Sequence, residues 1–437
     1  PESSVVVMTT EVLRNKLYGD NSALQDLDWV VLDEVHFLED PYRGAVWEEV
    51  VLNLPTSVGI VALSATVSNA HELGDWLSSV RGPTDVIVER QRPVPLTTHY
   101  LVAEYQRRAT LRRLPLLIKD RPNPEGFRFD TNSRPERNNH RPRRRRGQGR
   151  TDRRWAIPRR NNVATELDRN RMLPAIHFVF SRKGCEQARH ALVRSGVDFN
   201  TTRESTMVED LVNQRLAGIP PQDLRALEAE QWKKGLRVGI AAHHAGLVPL
   251  FKEVVEELFA MGLIKVVYAT ETLALGVNLP ARSVVIENLT KFDGESHTML
   301  TPGQFAQLTG RAGRRGTDEE GNALICWSPF VPFSDVAHLA ASREFVLRSA
   351  FRPTYNMVAN LVATRPQKEA ESLLSRSFGQ FQADRRSAGD QSLLEAMYAR
   401  HAVLERRGCV EDWELTPKGR PLIRVFNECD LLVVESL

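Results

Sequence analysis

The chain has 437 residues, 42% hydrophobic and 26% charged, with a formal net charge of +3 at pH 7. That is length enough for two or three domains with cores of their own, at an ordinary globular composition. No apolar run nears the ~18 residues that span a bilayer, no secretory leader is read at the start, and the four cysteines lack the paired spacing of a disulfide framework or zinc site. A reducing, cytoplasmic setting is expected.

Strand signals come first: "SVVVMTT" (4–10), "WVVLD" (29–33) and "GIVALSAT" (59–66), with a helical pattern in "GAVWEEVVLNL" (44–54) between the last two. Strands alternating with helices predict a parallel α/β architecture. "WVVL" is rich in β-branched residues and does not alternate, which reads as a central strand covered on both faces. It stops on Asp33 and Glu34, with His36 two residues further on. Ligands of parallel sheets sit beyond the carboxyl ends of the strands. Two acids there are candidates for holding a metal ion and orienting water; the alternative is that they cap the next helix.

From about 104 to 170 the pattern gives way to Arg, Pro, Asn and Gly, expected as a linker or insertion, disordered in part. Residues 134–160 hold 12 arginines against Glu136 and Asp152, leaving 46 basic and 53 acidic residues elsewhere. Such a block either meets a polyanion through counterion release or is a solvated linker. Trp155 is the one side chain in it able to stack on a base.

A second α/β series follows: "PAIHFVFS" (174–181), "VGIAAHH" (238–244), "IKVVYAT" (264–270), "SVVIEN" (283–288) and "NALICW" (322–327). After about 335 the chain turns helical. "SLLEAMYARHAVLERRG" (392–408) ends on Gly408 as a C-cap, "CVEDWELTPKG" (409–419) alternates like a hairpin, and Thr416-Pro417 opens another helix. Pro421 interrupts that last stretch. Helix, hairpin and helix suggest a winged helix.

The strand ends carry an ordered set of polar groups: "LSAT" (63–66), "FSRKGCE" (180–186), "HHAGL" (243–247), "ATETLALGVNLPA" (269–281) and "QLTGRAGRRG" (307–316). Each is weak alone; their order and spacing together are specific. With "DEVH" they resemble superfamily-two DExH-box helicases of the superkiller, exosome-associated type, most of all the actinobacterial HelY branch. The resemblance covers nearly the whole chain apart from the basic block. It implies an α/β fold of two RecA-like parallel-sheet lobes, the first incomplete, and a mostly helical winged-helix domain. The divisions expected are 1–99 for lobe one, 100–170 for the insertion, 171–335 for lobe two and 336–437 for the winged helix and the start of a helical domain. The implied activity is ATP-dependent 3′→5′ unwinding of RNA, with DNA as the alternative, in RNA processing or decay. The implied cofactors are ATP and Mg²⁺. The implied partners are single-stranded or tailed duplex RNA and RNA-decay nucleases, with no membrane, and the chain is expected to be a monomer.

By that resemblance Asp33 holds Mg²⁺ through water, Glu34 polarises the attacking water and His36 completes the box. Arg311 and Arg314, read as three apart on one helix face, are implied arginine fingers; the alternative is a basic helix start touching RNA, which Arg315 fits better. Gln307 resembles the residue that reads nucleotide occupancy. Gly276 and Asn278 match the motif joining the nucleotide site to the nucleic-acid track, a Gly permitting close approach and an amide both donating and accepting; a turn ended by Pro280 is the other reading. Ser64, Ala65 and Thr66 resemble the coupling element, against a capping role before "SNAHELGDWL", above all for Ser68. Thr10, Glu11, Ser181, Arg182, His244 and Thr270 are the implied nucleic-acid contacts, binding phosphate without reading bases. His243 and His244 are adjacent on a strand, face opposite ways and have no third ligand nearby, so a metal site there is rejected.

The sequence departs from the family in one respect that bears on chemistry. It contains no Gly-Lys dipeptide, so the phosphate-binding loop G-x-x-x-x-G-K-[ST] is absent. The chain is therefore expected to be a fragment or shortened relative, also without the arch insertion and the later helical bundle. A non-hydrolysing nucleic-acid-binding module is the competing function.

Overall fold

The computed structural model describes residues 3–18, 26–40, 43–89, 91–105, 110–132, 154–274, 279–292, 297–342, 345–385, 392–425 and 429–436. The chain divides into two compact units, one formed by 1–90 with 344–437 and the other by 91–343.

The first unit begins with α1 (Thr10–Tyr18), β1 (Trp29–Leu32), α2 (Gly44–Asn53), β2 (Gly59–Ala62) and α3 (Ala70–Arg81). β1 and β2 pair in parallel, Trp29 opposite Gly59 through Leu32 opposite Ala62. Among the described residues, one face of this pair is covered. Val30 and Leu32 are buried among Val35, Leu38, Trp47 and Val50, while Trp29 and Val31 are 64% and 61% exposed. The expectation of a strand covered on both faces is thus corrected: alternate side chains of a strand point opposite ways, and the described helices pack on one side. Residues 4–9, expected as a strand, form none; Val5 and Val7 are exposed, and the regular structure starts with α1 at Thr10. A strand needs a partner for its backbone N–H and C=O groups, and none is paired with this stretch among the described residues.

The second unit is built on one sheet. Its strands are β3 (Leu96–Glu104), β4 (Leu111–Pro115), β5 (Trp155–Ala156), β6 (Ala175–Phe178), β7 (Ile240–His243), β8 (Val266–Ala269), β9 (Ser283–Ile286) and β10 (Gly321–Cys326). The order is β4-β3-β10-β9-β6-β8-β7, with β5 also on β3. Every pair from β3 to β7 is parallel; β4 and β5 add antiparallel to β3. β6 to β9 are buried at every position, as a sheet covered on both faces requires. The flanking helices used below are α4 (Arg160–Arg169), α5 (Arg182–Arg194), α6 (Pro249–Ala260) and α7 (Pro302–Thr309).

The stretch expected as a linker therefore supplies β4, β5 and α4. Its buried residues include the large Leu114, Leu116, Phe129 and Trp155. Arginine composition hid them, because long guanidinium side chains occupy the outward positions of β4. Trp155 is 4% exposed, edge-on to Phe129 with ring centroids 4.7 Å apart, and the Arg112 and Arg154 guanidiniums lie over its ring. It is a core residue and is not available to stack on a base. The remainder of the basic block, 134–153, lies outside the described residues.

The chain then returns to the first unit with α8 (Tyr355–Thr364), α9 (Phe378–Arg385), α10 (Leu393–Arg406), the hairpin β11 (Val410–Glu411) and β12 (Glu414–Leu415), a 3₁₀ turn at Arg420–Arg424 and α11 (Asp430–Glu435). Gly408 takes φ 67°, the left-handed conformation expected of a helix-ending glycine. Pro421 sits at the start of the 3₁₀ turn, where its missing N–H costs nothing. Phe345, Leu347 and Phe378 enter the core of β1, β2 and α3, so residues expected in a separate domain share the hydrophobic interior of the first. Glu48, fully buried on α2, joins the two segments: its carboxylate accepts from Ser349 Oγ, from Phe378 N at 2.7 Å and from Gly379 N at 3.3 Å.

Candidate active site

In the first unit the box lies just past the carboxyl end of β1. Asp33 Oδ1 accepts the N–H of Glu34 at 2.9 Å. Glu34 has φ 54°, a left-handed backbone unusual for a residue with a side chain, and it precedes a 3₁₀ turn (Val35–Glu39) without capping it through its side chain. The Glu34 side chain thus does not cap this turn. A strained backbone of this kind costs about 1–2 kcal/mol and recurs at functional sites.

His36 is 6% exposed, beneath Phe345, with Nδ1 3.4 Å from the N–H of Ala65 and 3.3 Å from Glu34 Oε2. Burial holds its pKa below the usual value against the pull of Asp33, so the ring is neutral and Nδ1 accepts from Ala65. The acid box on β1 is in this way joined to the segment Ser64-Ala65-Thr66 that follows β2. Ser64 and Thr66 are exposed. The N-cap of α3 is Asn69 rather than Ser68; the Asn69 side chain bonds Glu72 and the backbone of Leu347. Trp47 Nε1 donates to the carbonyl of Asp33 at 3.4 Å. Thr10 is the first residue of α1, and Glu11 beside it is held by Arg43 at 2.6–2.7 Å.

In the second unit Ser181 caps α5, its Oγ accepting from Gly184 N at 3.1 Å, and Arg182 is exposed on the first turn. His244 is buried, accepts from Gly246 N on Nδ1 at 3.2 Å and therefore donates from Nε2 to Glu186 Oε1 at 3.0 Å. Burial alone would raise the Glu186 carboxyl; the hydrogen bond from His244 and the Arg189 guanidinium hold it down at about 2. His243 turns the other way, to Glu256 Oε1 at 2.7 Å. The two histidines have separate carboxylate partners. Thr270 ends β8, its N–H on the His243 carbonyl and its hydroxyl 2.8 Å from that of Thr272. Glu186 had no signal beyond its place in "FSRKGCE". Gly276 and Asn278 lie outside the described residues.

Gln307 is on the last turn of α7, its Nε2 buried without a hydrogen-bond partner among the described residues. Arg311 and Arg314 are not on a helix, contrary to expectation. α7 ends at Thr309 with Gly310 as its cap, and Gly313 takes φ 90°. The arginines sit instead on a loop tied to residue 281, Ala281 N donating to Arg311 O at 2.8 Å and Gly313 N to Ala281 O at 2.7 Å. Arg314 forms a forked ion pair with Asp318. Chemically the unit-one box offers hard carboxylate oxygens for a cation, and in unit two the loop offers guanidiniums and α7 the Gln307 amide N–H for an anion.

Two family profiles match the chain: DEAD/DEAH box helicase over residues 2–73 and helicase conserved C-terminal domain over 222–316. The "Probable helicase HelY" of Mycobacterium tuberculosis is 49% identical over 391 residues, covering 88% of this chain and 43% of that protein. "Superkiller complex protein 2" of Mus musculus is 35% identical over 412 residues, 93% of this chain and 33% of that one. "Exosome RNA helicase MTR4" of Mus musculus is 35% identical over 383 residues, 87% and 36%. The chain spans less than half the length of these relatives.

Proposed function

Belonging to the helicases whose two domains it carries, this chain forms, we propose, the engine of an ATP-dependent RNA helicase that unwinds 3′→5′ in cytoplasmic RNA processing or decay. The observation that most supports this is the Asp33–Glu34 pair at a strand end, with His36 bonded to the Ser64-Ala65-Thr66 segment. Hydrolysis at the acids and movement of that segment would share one hydrogen bond. RNA as substrate and an exosome as partner are supported by the name of one relative, an exosome RNA helicase, and assembly into a complex by that of another, a superkiller complex protein.

The residues present fit ATP and Mg²⁺ in their chemistry. The Asp33 carboxylate suits a hard cation through water, and Gln307 Nε2, without a partner among the described residues, and the guanidiniums of Arg311 and Arg314 suit phosphate oxygens. When bound, the cation neutralises charge on the phosphates undergoing transfer. Glu34 orients and polarises the attacking water. Arg311 and Arg314 stabilise the charge that develops on the transferred group. Within the second unit Ser181 and Arg182 at the start of α5, with Thr270, contact the nucleic-acid backbone, His244 supporting them from beneath. Within the first unit Thr10 and Glu11 do so, and Gly276 and Asn278, outside the described residues, carry the coupling role. In domain terms, 91–343 is the second RecA-like lobe and 392–436 the winged helix.

The test is unwinding by the whole protein of matched RNA and DNA duplexes with 3′ or 5′ tails. ATP-dependent opening of 3′-tailed RNA, lost in Glu34→Gln, is expected; opening of 5′-tailed duplexes alone, or opening that Glu34→Gln leaves intact, refutes the reading.

A further inference from the structure

The loop that carries Arg311 and Arg314 is held from three directions. Its backbone is bridged to Ala281 on one side. On another, Arg92 donates from Nη2 to the carbonyl of Ala312 at 2.9 Å, and Val94 fills the space at Gly313, where a Cβ would come within 2.7 Å of Val94 Cγ1. These fix the main chain and leave open how a long, rotamer-rich arginine side chain is aimed.

Asp318 supplies the third hold. Its side chain is 2% exposed against 28% for Arg314. Arg314 Nε donates to Oδ2 and Nη2 to Oδ1, both at 2.8 Å, and the Arg314 backbone N–H also donates to Oδ2 at 2.9 Å. The backbone closes the same loop, Asp318 N donating to Arg314 O at 2.9 Å and Thr317 N at 3.1 Å. Arg282 Nε stands 3.9 Å from Oδ1, and no other cation is paired with Asp318 among the described residues.

A guanidinium has five N–H donors in a rigid fork. Asp318 takes one edge, Nε with one proton of Nη2. The end-on edge, formed by Nη1 and the second proton of Nη2, remains and can bind two oxygens of a phosphate side by side. A carboxylate on the first edge thus fixes the direction in which the second points.

Resting on the reading of Arg314 as a finger, we propose that Asp318 is a positioning residue for phosphoryl transfer: it locks the Arg314 guanidinium so that its end-on edge is preset for the γ-phosphate. Asp318 does not touch the nucleotide. It removes the search among rotamers that a free arginine would make at each turnover.

The experiment is steady-state RNA-stimulated ATPase on the whole protein, comparing wild type, Asp318→Asn, Arg314→Ala and the double variant, with thermal midpoints for each. Asp318→Asn should lower kcat at least about tenfold with little change in KM for ATP, because the lost alignment matters in the transition state. The double variant should be no slower than Arg314→Ala alone, since two residues acting through one group do not add. Wild-type kcat in Asp318→Asn, or the same fractional loss from it in the Arg314→Ala background, overturns the proposal. If Arg314→Ala itself keeps full turnover, the finger reading falls and this inference with it; if Arg314→Ala fails while Asp318→Asn does not, only the inference falls. Arg314→Lys covers the case in which Asp318→Asn does not fold. A lysine keeps the charge but lacks the fork, so it should be as slow as Asp318→Asn is expected to be, and near-wild-type kcat would overturn the proposal.

Discussion

Replacing Arg311 or Arg314 by alanine in the whole protein is expected to cut ATP turnover by roughly 10³-fold, the scale of losing an arginine finger, with RNA affinity little changed. Filter binding beside phosphate release checks both, and a variant that keeps its turnover but loses RNA would move that arginine to the track. At the same scale, Glu34 combines a left-handed backbone with an acid that faces solvent and His36. Its place after a β-branched strand was legible in the sequence. Its backbone conformation was not, because a positive φ at a residue with a side chain has no local sequence signal. Asp318 lies four residues past Arg314, so the pair could be read as an i, i+4 contact; that the Asp318 side chain is covered and takes one whole guanidinium edge came only with the fold.

At the scale of elements, α2 carries a titration that should govern the first unit. Burial pushes the Glu48 carboxyl from its ordinary 4.5 up to about 7, against the opposing hydrogen bonds from Ser349, Gly379 and Phe378. A folded carboxyl that holds its proton more tightly than the unfolded chain stabilises the fold fully below about pH 4.5, and that stability is lost as pH rises to about 7, by roughly 3 kcal/mol at most. Thermal midpoints from pH 5 to 8 should therefore fall in the wild type relative to Glu48→Gln; parallel curves would show that Glu48 stays ionised. The basic block gives a second test. The cut must spare Trp155 and Arg160, since Trp155 is in the core and Arg160 pairs with Glu287 at 2.9 Å. If residues 134–153 touch RNA, deleting them should flatten the slope of log affinity against log salt by about 0.7 per lost single-strand contact. An unchanged slope leaves them a linker.

For the molecule as a whole, the open face of β1 and β2 and the missing G-x-x-x-x-G-K-[ST] loop bear on the same question, whether residues 1–437 hydrolyse ATP unaided. Without a lysine and hydroxyl to cradle the phosphates, the isolated chain is expected to bind single-stranded RNA weakly and to show no RNA-stimulated phosphate release. Turnover that Glu34→Gln abolishes would overturn that expectation and, with it, the competing view of the chain as a binding module alone. The sequence by itself determined the parallel α/β class, the strands β6 to β10 and the polar groups at their ends, because buried parallel strands leave unbroken apolar runs that stop where ligands bind. It also carried the helix, glycine cap and hairpin near the C-terminus, whose signals are local. Only the tertiary structure decided that residues 4–9 form no strand, that arginine-rich 111–115 does, and that Arg311 and Arg314 leave the helix. Pairing partners, burial under long arginines and a glycine at φ 90° all depend on residues far away in the chain, and no local pattern encodes them.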